Sequence, residues 1–212
     1  WGEIYYPNHL HEILIATNVR RIVPSKTKEL WTLPTESKLV VSSDLLTERN
    51  ISNPVKITVK SYPRSFKTVK DMKPCLSKKL DIIVNDSTIK TLTDNPKEFT
   101  VQNYNTIFYG RGKGIHSTTP FHGILLKDAL SSYVKADPEM LKKGFILVVG
   151  ADGYRSVYTF SELMNRNDQA EVMLVCDPKK TDDGIFKVFP ACDFFSDRAV
   201  KAIVGVYVEK LK

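Results

Sequence analysis

The order of signals between residues 121 and 209 constrains this chain more than any other feature. It begins with FHGILLKDALSSYVK, where Leu125, Leu126, Ala129, Leu130 and Tyr133 recur at spacings of one, three and four behind Gly123, predicting an amphipathic helix with one buried stripe. A second short helix is predicted at Asp137, with Pro138 in the first turn, where its missing N–H is harmless. Strands are predicted over 145–149, 155–159, 171–176, 185–189 and 202–209. The first two are joined by Asp152-Gly153, a tight-turn pair whose glycine tolerates positive φ. Tyr154 is expected to pack at the start of the next strand and Arg155 to face solvent. Upstream, Leu80, Ile82 and Val84 alternate onto one face of a strand, YNTIFY at 104–109 reads as another, and 110–119 reads as a Gly-rich polar loop. Many strands, a few short helices and no regular strand–helix alternation give an α+β class with mixed β-sheets.

In sequence order, the chain carries a Gly-Ile-x-Leu lead into a helix, an Asp-Gly-Tyr turn, a Ser-Glu-Leu helix, a Gly-then-Pro strand and an Arg-x-x-Lys segment before the last strand. Over about residues 80–209 this series resembles the oxidoreductase molybdopterin-binding domain, the central fold of sulfite oxidase and its relatives. The resemblance implies a short helical segment at DNPKEF, 94–99. In catalytic members of that family a cysteine thiolate on the loop after a mid-domain strand coordinates molybdenum. Here that region, TIFYGRGKGIHSTTPFHG, has no cysteine, and Tyr109 or Gly110 stands near the matching place. A soft thiolate suits such a metal, and neither a phenol nor a backbone group reproduces its bonding. Arg198 and Lys201 match the family's Arg-x-Val-Lys stretch, whose basic groups hold the anionic pterin. The Trp usual after that Lys is Ala202, and the basic residue of the preceding strand is approximated by Lys187.

The same ending occurs twice. KLVVSSDLLTERNISNPVKITV from Lys38 lies over KVFPACDFFSDRAVKAIVGVYV from Lys187 without a gap, so that Asp44 falls on Asp193 and Arg49 on Arg198. Upstream, IYYPNHL from Ile4 resembles VYTFSEL from Val157, and ILIAT from Ile13 resembles VMLVC from Val172, with small insertions. The chain is therefore read as the C-terminal part of a first copy over 1–61, a linker over 62–79 and a complete molybdopterin-binding-like domain over 80–212. The first copy is expected to run strand, short helix capped by Asn8, strand, a long polar connection over 18–37, then strand, turn and strand over 39–60. The chain begins at Trp1 rather than Met, which reads as a processed or trimmed product.

A net charge of +7 and a pI near 9.2 favour anionic partners, but the lysines are scattered and no nucleic-acid motif accompanies them, so DNA or RNA binding is not expected. No apolar run is long enough to span a bilayer. Cys75, Cys176 and Cys192 form no CxxC pair, so zinc and a disulfide framework are not expected, although one pair could bridge. Cys176, ending an apolar strand, reads as a packing residue, and Cys192 as the one to test for reactivity.

Two clusters are candidates for an anionic small molecule or for molybdopterin. The first is GRGKGIH, 110–116, whose alternating glycines let backbone approach an anion while Arg111, Lys113 and His116 supply charge. It lacks the ending of a P-loop, and a hairpin loop with a basic tip is the competing reading. The second is Arg198 with Lys201, where a guanidinium fork and a compact ammonium suit phosphate. Its competing reading makes Arg198 a structural partner of Asp193 or Asp197. His9 and His11 would point to different faces of a helix, and no Ser/His/Asp or paired-carboxylate spacing is present. Three functions follow as alternatives. One is a diverged, non-catalytic molybdopterin-binding-like domain with a pocket for an anion. Another is a molybdenum oxidoreductase with non-standard metal ligation, and the last is a structural or interaction module of an extracytoplasmic protein.

Overall fold

The computed structural model describes residues 13–18, 37–41, 50–58, 63–105, 108–110, 114–117, 120–166, 170–177, 184–193 and 196–211. They form an α+β chain in which sheets predominate and helices are short. They fall into two compact units, one within Ile4–Ser65 and one within Phe66–Lys212. Asn8, Asp44 and Arg49 lie outside the described residues, as does most of the expected strand–helix–strand of 3–17.

In the smaller unit β1 (Ile13–Ala16), β2 (Lys38–Val41) and β3 (Ile51–Ser52) make one antiparallel sheet in that order. The strand expected to run on to 60 ends at Ser52, because Asn53 turns the backbone into the left-handed region at φ 49°. Its N–H is taken by the Ser37 carbonyl at 2.8 Å.

The larger unit opens with β4 (Leu80–Val84) and β5 (Ser87–Leu92), then β6 (Gln102–Tyr104), β7 (Phe108–Gly110), β8 (Gly114–Ser117) and β9 (Phe121–Leu125). Next come α1 (Leu126–Ser131), α2 (Pro138–Lys143), β10 (Gly144–Gly150), β11 (Arg155–Thr159) and α3 (Phe160–Met164). The unit closes with β12 (Val172–Cys176), β13 (Phe186–Pro190), a 3-10 turn at Ser196–Arg198 and β14 (Ile203–Lys210). One sheet has the order β11-β10-β14-β4-β5, antiparallel throughout except for the parallel pair β14 and β4. A second runs β13-β12-β9-β6, and β7 with β8 makes a separate hairpin. Of the segment read as linker, 62–79, residues 66–79 are tied into this unit. Phe66 meets Tyr207 edge-on at 5.4 Å, Val69 N–H donates to Asp152 O, and Ser77 Oγ donates to Ile203 O at 2.7 Å.

Apolar alternation and runs decide what is buried. Ile82 of β4, Ile146 and Val148 of β10, and Val206 and Val208 of β14 join Ile124, Leu174 and Val188 of the second sheet in one core with Leu126, Leu130, Phe160 and Leu163 of the helices. Each such side chain contributes about 1.5–3 kcal/mol by leaving water. Local signals set the boundaries. Asp137 caps α2 by accepting from Glu139 N and Met140 N, with Pro138 behind it, and Thr159 and Glu162 form a capping box on α3. Gly153 has φ 80° and Asp152 Oδ1 accepts from Tyr154 N, which builds the β10–β11 hairpin turn.

Four further expectations are corrected. The helix after Gly123 is shorter than the stripe suggests, since Ile124 and Leu125 are held in β9 by pairing with Leu174 and Met173. Gly123 lies so close to β12 that a Cβ there would sit 2.4 Å from the Leu174 carbonyl oxygen. The segment 94–99 is a turn closed by Phe99 N to Pro96 O at 3.4 Å, not a helix. The strand read at 104–109 is divided between β6 and β7, and part of the 110–119 loop is β8.

The two units share a pairing register. Ile13–Val41, Leu14–Val40, Ile15–Leu39 and Ala16–Lys38 in the smaller match Val172–Pro190, Met173–Phe189, Leu174–Val188 and Val175–Lys187 in the larger. Leu39–Ile51 matches the bridge Val188–Val200. Asn53 at φ 49° matches Ala202 at φ 46°, both non-glycine residues in the left-handed region.

Candidate functional site

Arg198 ends the 3-10 turn between β13 and β14 and is 6% exposed. Its Nε donates to Asp193 Oδ2 at 2.7 Å and its Nη2 to Asp193 Oδ1 at 2.6 Å, a bidentate fork. The same Nη2 lies 2.8 Å from Glu162 Oε1, on α3. The guanidinium carbon stands 4.7 Å from the centre of the Tyr158 ring, and Tyr158 Oη donates back to Arg198 O at 2.8 Å. Burial alone lowers the guanidinium pKa, but the hydrogen bonds and charge of Asp193 and then Glu162 outweigh it, so the net shift is upward. Burial pushes the Tyr158 hydroxyl the same way, leaving it a neutral donor. The pairing with Asp193 is one of the two readings open from the sequence. Glu162 was missed, because it lies on another element and no spacing links it to Arg198.

Lys201 follows on an exposed turn, so it does not share the enclosed position of Arg198. Arg111 and Lys113 lie outside the described residues, while the backbone of His116 is in β8. The hairpin that carries this loop is nevertheless a neighbour of the arginine turn, because β7 runs beside Ser196–Arg198. Tyr109 and Gly110, read from the resemblance as near the place of a thiolate ligand, are in β7.

The three cysteines are free thiols. Burial, reinforced by the Asp193 carboxylate, pushes Cys192 up to about 12, and its Sγ contacts Asp193 Oδ1 at 3.4 Å. Burial and then Asp94 push Cys176 up to about 11. Both are protonated at neutral pH, which makes them poor nucleophiles.

A polar cleft of about 480 Å³ opens beside β6, lined by Gln102, Asn103, Tyr104, Asn105 and Glu171 among others. Glu171 precedes β12 and is almost buried; Tyr104 Oη donates to its Oε2 at 2.8 Å and Lys127 Nζ to its Oε1 at 3.1 Å. Lys127 also donates to Arg166 O at 2.7 Å. Burial raises the Glu171 pKa, but the Tyr104 and Lys127 hydrogen bonds and the Lys127 charge outweigh it, and the carboxyl is held below its usual range. Both oxygens are thereby engaged, so this is a positioned carboxylate rather than a general base open to a substrate. At the neighbouring β6–β9 pair, His122 Nδ1 bonds Asn103 Oδ1, a cross-strand contact on an exposed face. The only sequence hint of the cluster is a single acid ahead of the apolar run VMLVC.

Among the described residues no helix is long and apolar enough to cross a membrane, and no group of three or more His, Cys, Asp or Glu could hold a metal ion. No known protein family, curated protein or solved structure matches the chain.

Proposed function

We propose that this chain is a diverged, non-catalytic relative of the molybdopterin-binding domain, a scaffold built on a partial internal repeat. The observation that carries the reading is Arg198. At the position where the family offers a guanidinium to an anionic pterin, this chain closes the group between Asp193 and Glu162 and covers it. An anion entering there would meet two carboxylates and would have to displace one from a bidentate pair. Cys192, the thiol nearest this cluster, is held protonated beside the same Asp193. Arg198 and Cys192, as placed, therefore do not fit the cofactor, and no reaction step is assigned to it. The repeat is supported by the shared register of β1–β2–β3 with β12, β13 and the Val188–Val200 bridge, and by the paired left-handed residues Asn53 and Ala202.

The test is elemental and pterin analysis of protein purified from a host that makes molybdenum cofactor. Molybdenum well below one atom per chain is the expected result. One molybdenum per chain would overturn the proposal and make the oxidoreductase reading, with non-standard ligation, the one to pursue.

A further inference from the structure

β6 ends the sheet β13-β12-β9-β6, and the cleft beside it is walled by four successive residues, Gln102, Asn103, Tyr104 and Asn105, together with Glu171. Its volume of about 480 Å³ lies in the range of about 300–1,000 Å³ that encloses a small molecule. Apolar ligands take pockets lined mainly by aliphatic and aromatic side chains. Here three amides, a phenol and a carboxylate are joined by Leu125, Ala170 and Ala191. Among the described residues Glu171 is the one ionised group of the lining, and Lys127 Nζ at 3.1 Å neutralises it. No cationic side chain among them lines the cleft to hold an anion, and the paired carboxylate draws a cation only weakly. The Tyr104 hydroxyl is committed to Glu171 at 2.8 Å. The amides remain. No hydrogen bond within the described residues engages the side chains of Gln102 or Asn105, and Asn103 commits its oxygen to His122 while keeping its N–H groups.

We infer that this cleft binds a neutral hexopyranose, as a free sugar or as a residue of a glycan chain. A primary amide carries two N–H donors and a carbonyl acceptor on one flat group, and each sugar hydroxyl both donates and accepts. Vicinal hydroxyls therefore satisfy amides that an apolar ligand leaves unpaired, which is where a buried polar surface loses most. Neutrality follows from the Glu171–Lys127 pair, and the apolar part of the lining, Leu125 with two alanines, suits the C–H face of a pyranose. An extended peptide is disfavoured, because β6 offers a ladder of only three residues, Gln102–Tyr104, for strand addition. The site involves neither Arg198 nor a cofactor, so the metal analysis and the sugar titration fail separately.

The probes are D-glucose, D-galactose and D-mannose as free sugars and maltotriose and cellotriose as chain fragments, titrated against the full chain by saturation-transfer-difference NMR. D-glucosamine and D-glucuronate serve as the charged counterparts. Saturable transfer to at least one neutral probe is expected, weakened about tenfold or more by the double variant Gln102→Ala, Asn105→Ala and unchanged by Lys90→Ala on β5. Tighter binding of a trisaccharide than of its monosaccharide assigns the site to a glycan chain, and equal binding assigns it to a free sugar. Neither amide side chain is buried, so an unchanged thermal midpoint verifies that the double variant folds. Transfer to none of the neutral probes, binding indifferent to the double variant, or tighter binding of glucosamine or glucuronate than of glucose overturns the inference.

Discussion

Replacing Arg198 with Ala leaves Asp193 and Glu162 facing each other and the Tyr158 ring across the space of a lost guanidinium. Removing one partner of a buried ion pair costs about 3–5 kcal/mol, because the remaining charge stays desolvated without compensation. Here the two carboxylate side chains are 18% and 22% exposed, so water recovers part of that cost and the lower end, about 3 kcal/mol, applies. At about 2–4 °C per kcal/mol for a domain of this size, the midpoint of thermal unfolding falls by about 6–12 °C. Arg198→Lys keeps a charge but not the fork to Asp193, and losing one hydrogen bond to a charged group predicts about 1.5–3 kcal/mol. Lys201→Ala, on the exposed turn, is the comparison and stays within about 0.5 kcal/mol. Differential scanning calorimetry on the three variants reads all of this directly. A shift of less than about 2 °C for Arg198→Ala would falsify the argument, since no arginine closed between two carboxylates is removed so cheaply.

Glu171 sets an acid-side prediction. Its folded pKa is lowered, so its contribution is fully present above the unfolded value, about 4.3, and is lost as pH falls through the folded pKa. Urea midpoints of the native chain should therefore exceed those of Glu171→Gln by a constant amount at neutral pH, and the gap should close in acid; a gap that widens in acid would contradict the Tyr104–Glu171–Lys127 arrangement. For the thiols, Cys176 and Cys192 are pushed up to about 11 and about 12, so in native protein at about pH 8 both should react slowly with iodoacetamide and quickly once the chain is unfolded. Fast native labelling of Cys192, located by peptide mass spectrometry, would reopen it as a reactive group.

What the sequence determined by itself is what a few neighbouring residues decide. Asp137-Pro138 starts a helix and Asp152-Gly153 turns a hairpin because capping and positive φ are local properties, satisfied within two or three residues. Alternation at Leu80, Ile82 and Val84 and the run in β10 name core strands for the same reason. The α+β class followed from counting such segments. Tertiary structure alone decided the rest. Whether Arg198 serves an incoming anion or Asp193 and Glu162 depends on α3 lying against the 3-10 turn, and Tyr104, Lys127 and Glu171 meet only because β6, α1 and β12 converge. Gly123 shortens α1 through the nearness of a strand some fifty residues away, which no periodicity encodes. Two β-branched aliphatic residues make the division plainest. Ile57 and Val206 are alike in character, yet one is 63% exposed and the other 0%, because burial is conferred by the neighbours that a fold brings and not by the residue that receives them.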